Sequence, residues 1–335
     1  MIKEAIDKIV KGNNLSTDEM FEVMNEIMTG SATPVQIGSF ITGLRMKGET
    51  VEEITGAVAV MREKATKILV QGDVVDTCGT GGDGLQTINV STISAFVAAG
   101  AGARVAKHGN RSVSSRCGSA DLLVGLGVNI EVIPEVVERC IEEVGIGFMF
   151  APMLHPAMKH AIGPRREIGI RTIFNILGPM TNPAGAKFQL LGAYDPSMTE
   201  TIANVLKNLG SVRAFVVHGE DGLDEISISG RTKITELRNK KISTYMISPE
   251  NFGLERGSLK EIIGGSVDEN VELALNVLSG KDMGAKRNIV LLNAAFVLLA
   301  AGITDEVTEA IRLSAQSIDS GEAMRKLEGL REMTR

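Results

Sequence analysis

The sequence is short of cysteine, of positive charge and of long apolar runs, and each shortage excludes a class of protein. Three cysteines without C-x-x-C spacing, Cys78, Cys117 and Cys140, indicate neither a disulfide framework nor a zinc ribbon. A net charge of −6 argues against a nucleic-acid backbone as the main partner. The longest apolar run, residues 289–302, is interrupted by Asn293 and is too short to span a bilayer, so we predict a buried helix.

The rest of the composition is that of an ordinary soluble globular protein. Apolar residues make up 44% and charged residues 23%, and 335 residues leave room for two domains. The N-terminal residues lack a basic segment followed by an apolar core, so we expect no signal peptide. Together with the scattered cysteines, this predicts a cytoplasmic protein without a membrane partner.

Two patterns of secondary structure divide the chain. Residues 1–67 read as helices only, with capping boxes that begin at Ser16 and Thr50. Beyond them, short apolar runs alternate with helical segments, which predicts a central, mostly parallel sheet. We therefore predict an α/β fold with a small helical domain at 1–67, onto which part of 160–187 packs, and an α/β domain at 74–335. A ligand cleft is expected between the two domains.

The apolar runs and the helical periodicity give approximate positions for the elements of the larger domain. Strands are predicted at 74–78, 103–107, 128–132, 146–150, 188–193 and 212–218. Helices are predicted at 91–101, 119–126, 134–144, 199–209, 268–279, 285–301, 304–319 and 320–333.

The most informative segment is the glycine-rich stretch at residues 76–91, directly after an apolar run. Glycine backbone folds tightly and points its N–H groups at an anion, and Ser, Thr and Asn side chains add neutral donors. A dinucleotide fingerprint is disfavoured because polar residues delay the next helix until about Ser91, and no Lys-Ser/Thr pair completes a Walker loop. The segment predicts a phosphate-binding loop, with an ordinary structural turn as the alternative.

A second segment with anion-binding character, residues 107–119, lies between a predicted strand and a helix that begins near Ser119. Its three Lys and Arg residues, four serines and two glycines can surround a multiply charged anion. A solvated basic loop is the alternative. Two such loops after neighbouring strands indicate a ligand with two separate phosphate groups.

The adjacent acids Asp224 and Glu225 follow another predicted strand. Carboxylates on irregular backbone are hard oxygen ligands suited to Mg²⁺, which keeps several waters and bridges to substrate phosphates. An acidic surface loop is the alternative reading of the same residues. The two phosphate-type loops elsewhere in the chain favour the metal site.

Two further pairs of residues lie between positions 155 and 166. Arg165 and Arg166 can hold a substrate carboxylate bidentately, with a surface role as the alternative. His155 and His160 are poorly spaced for one face of a helix, so zinc is not indicated. The sequence has no G-x-S-x-G elbow and suggests no Cys–His pairing. If the protein is an enzyme, its phosphate-binding loops, metal site and cationic clamp fit displacement at a carbon whose leaving group is phosphate or pyrophosphate.

Taken in order along the chain, these segments resemble the anthranilate phosphoribosyltransferase family. The resemblance rests on GTGGD (79–83), NVST (89–92), KHGNR (107–111), GSAD (118–121), HPAM (155–158), RTIFNILGP (171–179) and GLDE (222–225). It implies transfer of the phosphoribosyl group from phosphoribosyl pyrophosphate to the amine of anthranilate, with release of pyrophosphate, as a step of tryptophan synthesis. It also implies two Mg²⁺ ions per active site and a homodimer formed through the helical domain.

The resemblance assigns roles to individual residues. The phosphoribosyl pyrophosphate site would contain Gly79, Gly82, Asp83, Thr87, Asn89, Val90, Ser91, Thr92, Lys107, His108, Gly109, Asn110, Arg111, Ser112, Val113, Ser114, Ser115 and Ser119. The metal ions would be bound by Ser91, Asp224 and Glu225.

The acceptor site and the chemistry also follow from the resemblance. Anthranilate would contact Gly79, Asn110 and Arg165, the last through its carboxylate. His108 would be a further contact to the amine. No nucleophile or strong base is expected, because a neutral aromatic amine can attack unaided.

Two alternatives are set against this reading. A pyrimidine nucleoside phosphorylase would share the fold, but it would need a single phosphate site and a nucleobase pocket instead of two anion loops and an acidic pair. A non-catalytic relative that binds nucleic acid is disfavoured by the negative net charge.

Overall fold

The computed structural model of the chain describes residues 1–112 and 116–335, and its first part is entirely helical. Four helices, α1 to α4, span Ile2–Val10, Thr17–Met28, Pro34–Lys47 and Val51–Lys64. The predicted capping boxes are present: the side chains of Ser16 and Thr50 accept hydrogen bonds from the backbone N–H groups of Glu19 and Glu53. The helical start of the chain is therefore confirmed.

A sheet of seven described strands follows, and its order is β3-β2-β1-β4-β5-β6-β7. Strands β1 to β7 span Val75–Gly79, Val105–Gly109, Ile146–Phe150, Phe188–Gly192, Arg213–Gly219, Thr232–Arg238 and Lys241–Ile247. The first five are parallel, and β6 and β7 extend one edge in antiparallel pairing. This confirms the predicted, mostly parallel sheet.

The remaining helices connect and cover the strands. Helices α5 to α10 span Val90–Gly100, Ser119–Gly125, Pro134–Arg139, Ala151–Leu154, Lys159–Ile168 and Phe174–Leu177. Helices α11 to α15 span Met198–Asn208, Val267–Leu278, Ala285–Ala300, Val307–Asp319 and Glu322–Met333. Among the described residues, no helix is long and apolar enough to cross a membrane.

The central strands are buried on both faces, as parallel strands with helical connections require. Successive side chains of a strand point to opposite faces. Leu190 and Phe215 join the core that contains α5 and α13, whereas Leu191 and Val216 join the core that contains α11 and the first four helices. Helix α9 packs against α3 and α2, so a later part of the chain completes the helical layer.

Some elements differ from the sequence-based prediction. Residues 128–132, predicted as a strand, are irregular and pair with no strand of the described chain; Val128 and Ile130 are buried, so their alternation marks a buried face without a sheet partner. The predicted helix at 134–144 begins as α7 but ends in a π-helical turn, Cys140–Val144. Strands β6 and β7 were not predicted because polar residues interrupt their apolar pattern, and most of β7 is exposed at the sheet edge.

Candidate functional site

The two predicted anion loops lie side by side at the carboxyl edge of the sheet. The glycine loop, residues 79–89, follows β1 and ends where α5 begins; the basic loop, residues 109–118, follows β2 and ends where α6 begins. Since β1 and β2 are neighbouring parallel strands, both loops leave the same edge. The side-chain amide of Asn89 donates to the carbonyl of Cys117 at 2.9 Å and joins the two loops.

Asp224 is pressed against the ends of β1 and β4. Gly79 and Gly192 pair across these strands, and neither position has space for a side chain. A Cβ atom on Gly192 would lie 1.5 Å from the carbonyl oxygen of Asp224, and a Cβ atom on Gly79 would lie 2.3 Å from its Oδ2 atom. The backbone N–H of Gly81 then donates to Asp224 Oδ2 at 2.7 Å. These two glycines are therefore required for the close approach of an acid.

Glu225 lies beside Asp224 and reaches the beginning of α5, where the backbone N–H of Ser91 donates to its Oε1 atom at 3.0 Å. Burial raises the pKa of Asp224, with the nearby carboxylate of Asp83 as the second cause. Burial, followed by repulsion from Asp224, likewise raises the pKa of Glu225. A divalent cation would relieve this crowding of buried carboxylates, so the donor set fits Mg²⁺.

The acid pair does not form a closed metal cage. Within residues 1–112 and 116–335, no group of three or more His, Cys, Asp and Glu side chains is arranged to hold a metal ion. Mg²⁺ commonly binds through one or two carboxylates and completes its shell with waters and substrate phosphates. The open arrangement is therefore the kind that a metal shared with a phosphate ligand would use.

Lys107 brings a cation to the same place from β2. Its side chain is buried, and its Nζ atom donates to the carbonyl of Thr77 at 2.6 Å and to Ser91 Oγ at 3.3 Å. Burial lowers the pKa of Lys107, and the negative charge of Asp76 opposes that shift. The ammonium group thus lies between the two strands that carry the anion loops.

Two histidines form a buried pair next to Lys107. The Nε2 atoms of His108 and His155 are 3.2 Å apart. Burial lowers the pKa of His108 to about 3 and that of His155 to about 4, so both rings are neutral at neutral pH. His160, five residues after His155, is not part of this pair, because its ring lies against Gly30 in the helical layer.

The described residues of the basic loop contact Asp121 in α6. Its Oδ2 atom accepts hydrogen bonds from the backbone N–H groups of Ser112 and Gly118, and its Oδ1 atom pairs with Arg111 at 3.0 Å. Ser119 Oγ donates to the carbonyl of Asn110 at 3.2 Å. The predicted contacts Val113, Ser114 and Ser115 lie outside the described residues.

Other predicted contacts lie along the glycine loop and at the beginning of α5. Asp83 Oδ1 accepts from the N–H of Leu85 at 3.2 Å, and Thr87 forms an isolated bridge with Ile263. Val90 and Thr92 are buried, and within the described chain the hydroxyl of Thr92 has no hydrogen-bond partner.

The arginines of the 159–171 segment have different environments. Arg165 lies over the ring of Phe174 at 5.0 Å and is partly buried, whereas Arg166 is exposed. Arg171, which the sequence did not single out as a site residue, donates to the carbonyl of Gly82 and lies 4.5 Å from the centre of the Tyr194 ring. Arg171 thus ties the glycine loop to the segment that follows α9.

A buried asparagine also supports the acidic loop, residues 219–226. Asn293 in α13 accepts from the N–H of Ile226 and donates to its carbonyl, both at 2.9 Å. Asn293 therefore fixes the backbone directly after Glu225. The sequence contained a signal for this role, because Asn293 interrupts an otherwise apolar run and a buried amide needs partners.

Comparisons with known proteins agree over the whole chain. Residues 3–65 match the helical bundle domain of a glycosyl transferase family, and residues 71–324 match the a/b domain of the same family. Anthranilate phosphoribosyltransferase of Geobacter sp. (strain M21) is 55% identical over 349 residues, which cover 100% of this chain and 99% of that protein.

Solved structures give the same result. The crystal structure of anthranilate phosphoribosyltransferase from Thermus thermophilus is 42% identical with a TM-score of 0.94, and 99% of each chain is covered. The enzyme of that name from Saccharomyces cerevisiae, in complex with phosphoribosyl pyrophosphate and Mg, is 28% identical with a TM-score of 0.91, covering 99% of this chain and 97% of that one. The yeast enzyme has also been solved with 4-fluoroanthranilate.

Proposed function

The chain belongs to the anthranilate phosphoribosyltransferase family, as its sequence motifs predicted, and we propose how its residues carry out the family's reaction. The enzyme transfers the phosphoribosyl group of phosphoribosyl pyrophosphate to the amine of anthranilate. The products are N-(5-phosphoribosyl)anthranilate and pyrophosphate. This is the second step of tryptophan synthesis from chorismate.

The donor is bound where the glycine loop and the basic loop meet. The glycine loop ends where α5 begins, and the N-terminal end of this helix favours an anion. Lys107 adds a buried positive charge between the loops. The predicted contacts from Gly79 to Thr92 and from Lys107 to Ser119 are our proposal for the residues that hold the phosphate groups and the ribose.

Asp224, Glu225 and Ser91 are the residues that would hold Mg²⁺, and we propose two ions per site. The support is the buried acid pair, whose repulsion a divalent cation would relieve. When bound, Mg²⁺ neutralises charge on the departing pyrophosphate. The chain's own residues orient this group: Gly79 and Gly192 leave the space for Asp224, and Asn293 fixes the backbone that carries Glu225.

Anthranilate binds on the side of the donor that faces α9. Arg165 pairs with its carboxylate, and Asn110 and Gly79 complete the contacts. His108 is neutral at neutral pH, so it can contact the amine without protonating it. The amine attacks the anomeric carbon as the bond to pyrophosphate breaks, and no strong base is needed because the aromatic amine is neutral. Catalysis therefore rests on positioning and on stabilisation of the leaving group.

We also infer a cytoplasmic homodimer formed through the helical domain at 1–67. The support is a set of strongly exposed apolar side chains on α1 and α3, namely Val10 (73%), Val35 (77%) and Met46 (84%). The division into a helical domain and an α/β domain at 74–335 remains a prediction, as does the cleft between them.

The observation that carries this function is the placement of Asp224 and Glu225 beside two anion loops. The experiment follows anthranilate fluorescence with and without phosphoribosyl pyrophosphate and Mg²⁺. We expect the fluorescence to fall only when both are present. Phosphorolysis of thymidine or uridine with no such reaction would instead favour a pyrimidine nucleoside phosphorylase. Salt-dependent DNA binding without turnover would favour a nucleic-acid-binding relative.

A further inference from the structure

The backbone pairing between β1 and β2 ends after the first residue pair. Along β1 and β4, five residue pairs are in register, from Val75 with Phe188 to Gly79 with Gly192. Among the described residues, the β1–β2 ladder consists of one pair, Val75 with Val105. Yet β2 pairs normally with β3 over five residues. The opening is therefore local to one side of β1.

Side chains take the place of the missing ladder bonds. The backbone N–H of His108 donates to Asp76 Oδ1 at 3.1 Å. The carbonyl of Ala106 accepts from the side-chain amide of Asn182 at 2.8 Å. The carbonyl of Thr77 accepts from Lys107 Nζ. Three backbone groups that a continuous ladder would pair with each other are thus paired with inserted side chains.

The inserted groups also bind one another. Asn182 donates to Asp76 Oδ2 at 2.8 Å with the same amide that reaches Ala106. Asp76 is 0% exposed, and Asn182 and Lys107 are each 3% exposed. A buried carboxylate and a buried ammonium are tolerated only where charge and hydrogen bonds compensate their loss of water. Asp76 supplies the negative charge and Asn182 fixes its direction.

The open seam lies directly beneath the place where the glycine loop leaves β1 and the basic loop leaves β2. In a continuous parallel ladder these backbone groups would pair directly with each other. The carbonyl of Thr77 would then no longer be available to Lys107 Nζ. The side chains inserted in the seam therefore determine the position of the ammonium group at the edge from which the two loops leave.

We propose that Asp76 and Asn182 are positioning residues that replace the backbone pairing between β1 and β2 and fix Lys107 between the two anion loops, where its ammonium meets the pyrophosphate group of the donor. This inference rests on the proposed function, since it takes the loops to be the donor site. Neither residue need touch the substrate, because both act through Lys107 and the strand ends. A purely structural role would affect stability without a selective effect on the donor.

The first test replaces Asp76 with Asn. In Asp76→Asn an oxygen can still accept from His108, but the second position becomes an amide that faces the amide of Asn182, and the charge beside Lys107 is lost. We expect the affinity for Mg²⁺ pyrophosphate, measured by calorimetry, to fall about tenfold or more. The KM for phosphoribosyl pyrophosphate should rise by a similar factor, whereas the KM for anthranilate should change less than about twofold.

Two further variants keep the test decisive if Asp76→Asn folds poorly. Asn182→Ala deletes the amide without changing the charge, and it should weaken pyrophosphate binding in the same direction by a smaller factor. The exchange variant Asp76→Asn/Asn182→Asp restores one negative charge and a donor opposite an acceptor between positions 76 and 182, while the carbonyl of Ala106 loses its donor. It should bind pyrophosphate more tightly than Asp76→Asn alone.

The matched control is Ser317→Ala. Ser317 Oγ donates to the carbonyl of Val97 at 2.8 Å, which is a buried side-chain-to-backbone bond in α14, away from the loops. This variant should lose thermal stability but keep wild-type affinity for Mg²⁺ pyrophosphate. If Asp76→Asn and Asn182→Ala behave like Ser317→Ala, with lower stability and unchanged affinity, the inference is overturned. If the wild-type protein itself binds no Mg²⁺ pyrophosphate, the proposed function fails and this inference fails with it.

Discussion

Strand β1 pairs with β4 along its whole length, which we call the closed seam, but with β2 at one residue pair only, which we call the open seam. The two seams place functional groups in opposite ways. On the closed side, Gly79 and Gly192 have no side chains, and the backbone and carboxylate of Asp224 fill the space above them. On the open side, Asp76, Asn182 and Lys107 insert polar groups between the strands. On the β4 side the absence of two side chains leaves space for an acid. On the β2 side inserted side chains position a cation.

The two seams bury groups of opposite charge a short distance apart in one sheet. The closed seam presents the acid pair, and the open seam presents Lys107. Strand order reverses at β1–β4, which is where ligands commonly bind in open α/β sheets. The second seam lies on the other side of β1, so the glycine loop and the basic loop leave the sheet next to this point.

The largest effect on the rate should follow from removing the carboxylate charges of Asp224 and Glu225 at the closed seam. Asp224→Asn/Glu225→Gln keeps the shape of both side chains but removes the metal-binding charge. We expect the rate to fall about a thousandfold and its dependence on Mg²⁺ to disappear, as measured in an anthranilate fluorescence assay. The control is Glu220→Gln, which changes an exposed acid of the same loop that pairs with Arg231. Unchanged activity in the double variant would refute the metal role.

The next effect should come from filling the closed seam. In Gly192→Ala the new Cβ atom would meet the Asp224 carbonyl at 1.5 Å, so the acidic loop must move. Because misplacement of about 1 Å costs about a hundredfold in rate, we expect that loss in kcat/KM together with a lower melting temperature. For comparison, Gly163→Ala places a Cβ atom that meets nothing within 4 Å beyond its chain neighbours and the backbone of its own helix. Near-wild-type kinetics for Gly192→Ala would mean that activity does not depend on the position of Asp224 against β4.

A smaller and more selective effect should mark the acceptor side, outside both seams. Arg165→Ala removes a cation proposed to bind the carboxylate of anthranilate. We expect the KM for anthranilate to rise about tenfold to a hundredfold, with the KM for phosphoribosyl pyrophosphate nearly unchanged. Arg166→Ala, which removes the exposed neighbour, should leave both values alone. A rise only in the KM for phosphoribosyl pyrophosphate would place Arg165 among the residues that bind the donor's phosphate groups.

The smallest effect concerns the pH dependence of stability at the edge of the open seam. The pKa values of His108 and His155, about 3 and about 4, lie below the usual 6.5 because burial disfavours the charged rings. Below pH 6.5 the unfolded chain therefore binds more protons than the folded one, so this stability is full above pH 6.5 and is lost as the pH falls. Between pH 6.5 and 5 the loss should be about 1 to 2 kcal/mol per histidine.

Urea unfolding at pH 7.5 and at pH 5 would measure this loss. The double variant His108→Asn/His155→Gln should show a smaller difference between the two pH values than the wild type. His160→Gln, which changes a histidine outside the pair, should keep the wild-type difference. An identical difference in all three proteins would contradict the assignment of buried neutral rings.

The helical start and most of the sheet could be predicted because they follow local rules. Ser16 and Thr50 are helix caps by their chemistry alone, and the apolar runs give β1, β3, β4 and β5 within a residue or two. The two loops could be placed because glycine and hydroxyl residues follow predicted strands, and their proximity followed from parallel neighbouring strands. That they bind an anion stays a prediction.

The features that were not predicted depend on contacts between distant parts of the chain. Asp76 looks like the first residue of a glycine-rich motif, and only its contacts with Asn182 and the N–H of His108 reveal the open seam. The pairing of His155 with His108 likewise joins residues that the sequence separates widely. Gly192 carries no motif at all, and its function appears only when Asp224 is placed against it.

The most direct test of the account is a crystal structure of the protein with phosphoribosyl pyrophosphate and Mg²⁺ bound. We predict pyrophosphate density between the glycine loop and the basic loop, within hydrogen-bonding distance of Lys107, and metal density on Asp224 and Glu225. Density for the donor at any site away from the carboxyl ends of β1 and β2, with no metal on Asp224 and Glu225, would contradict the account.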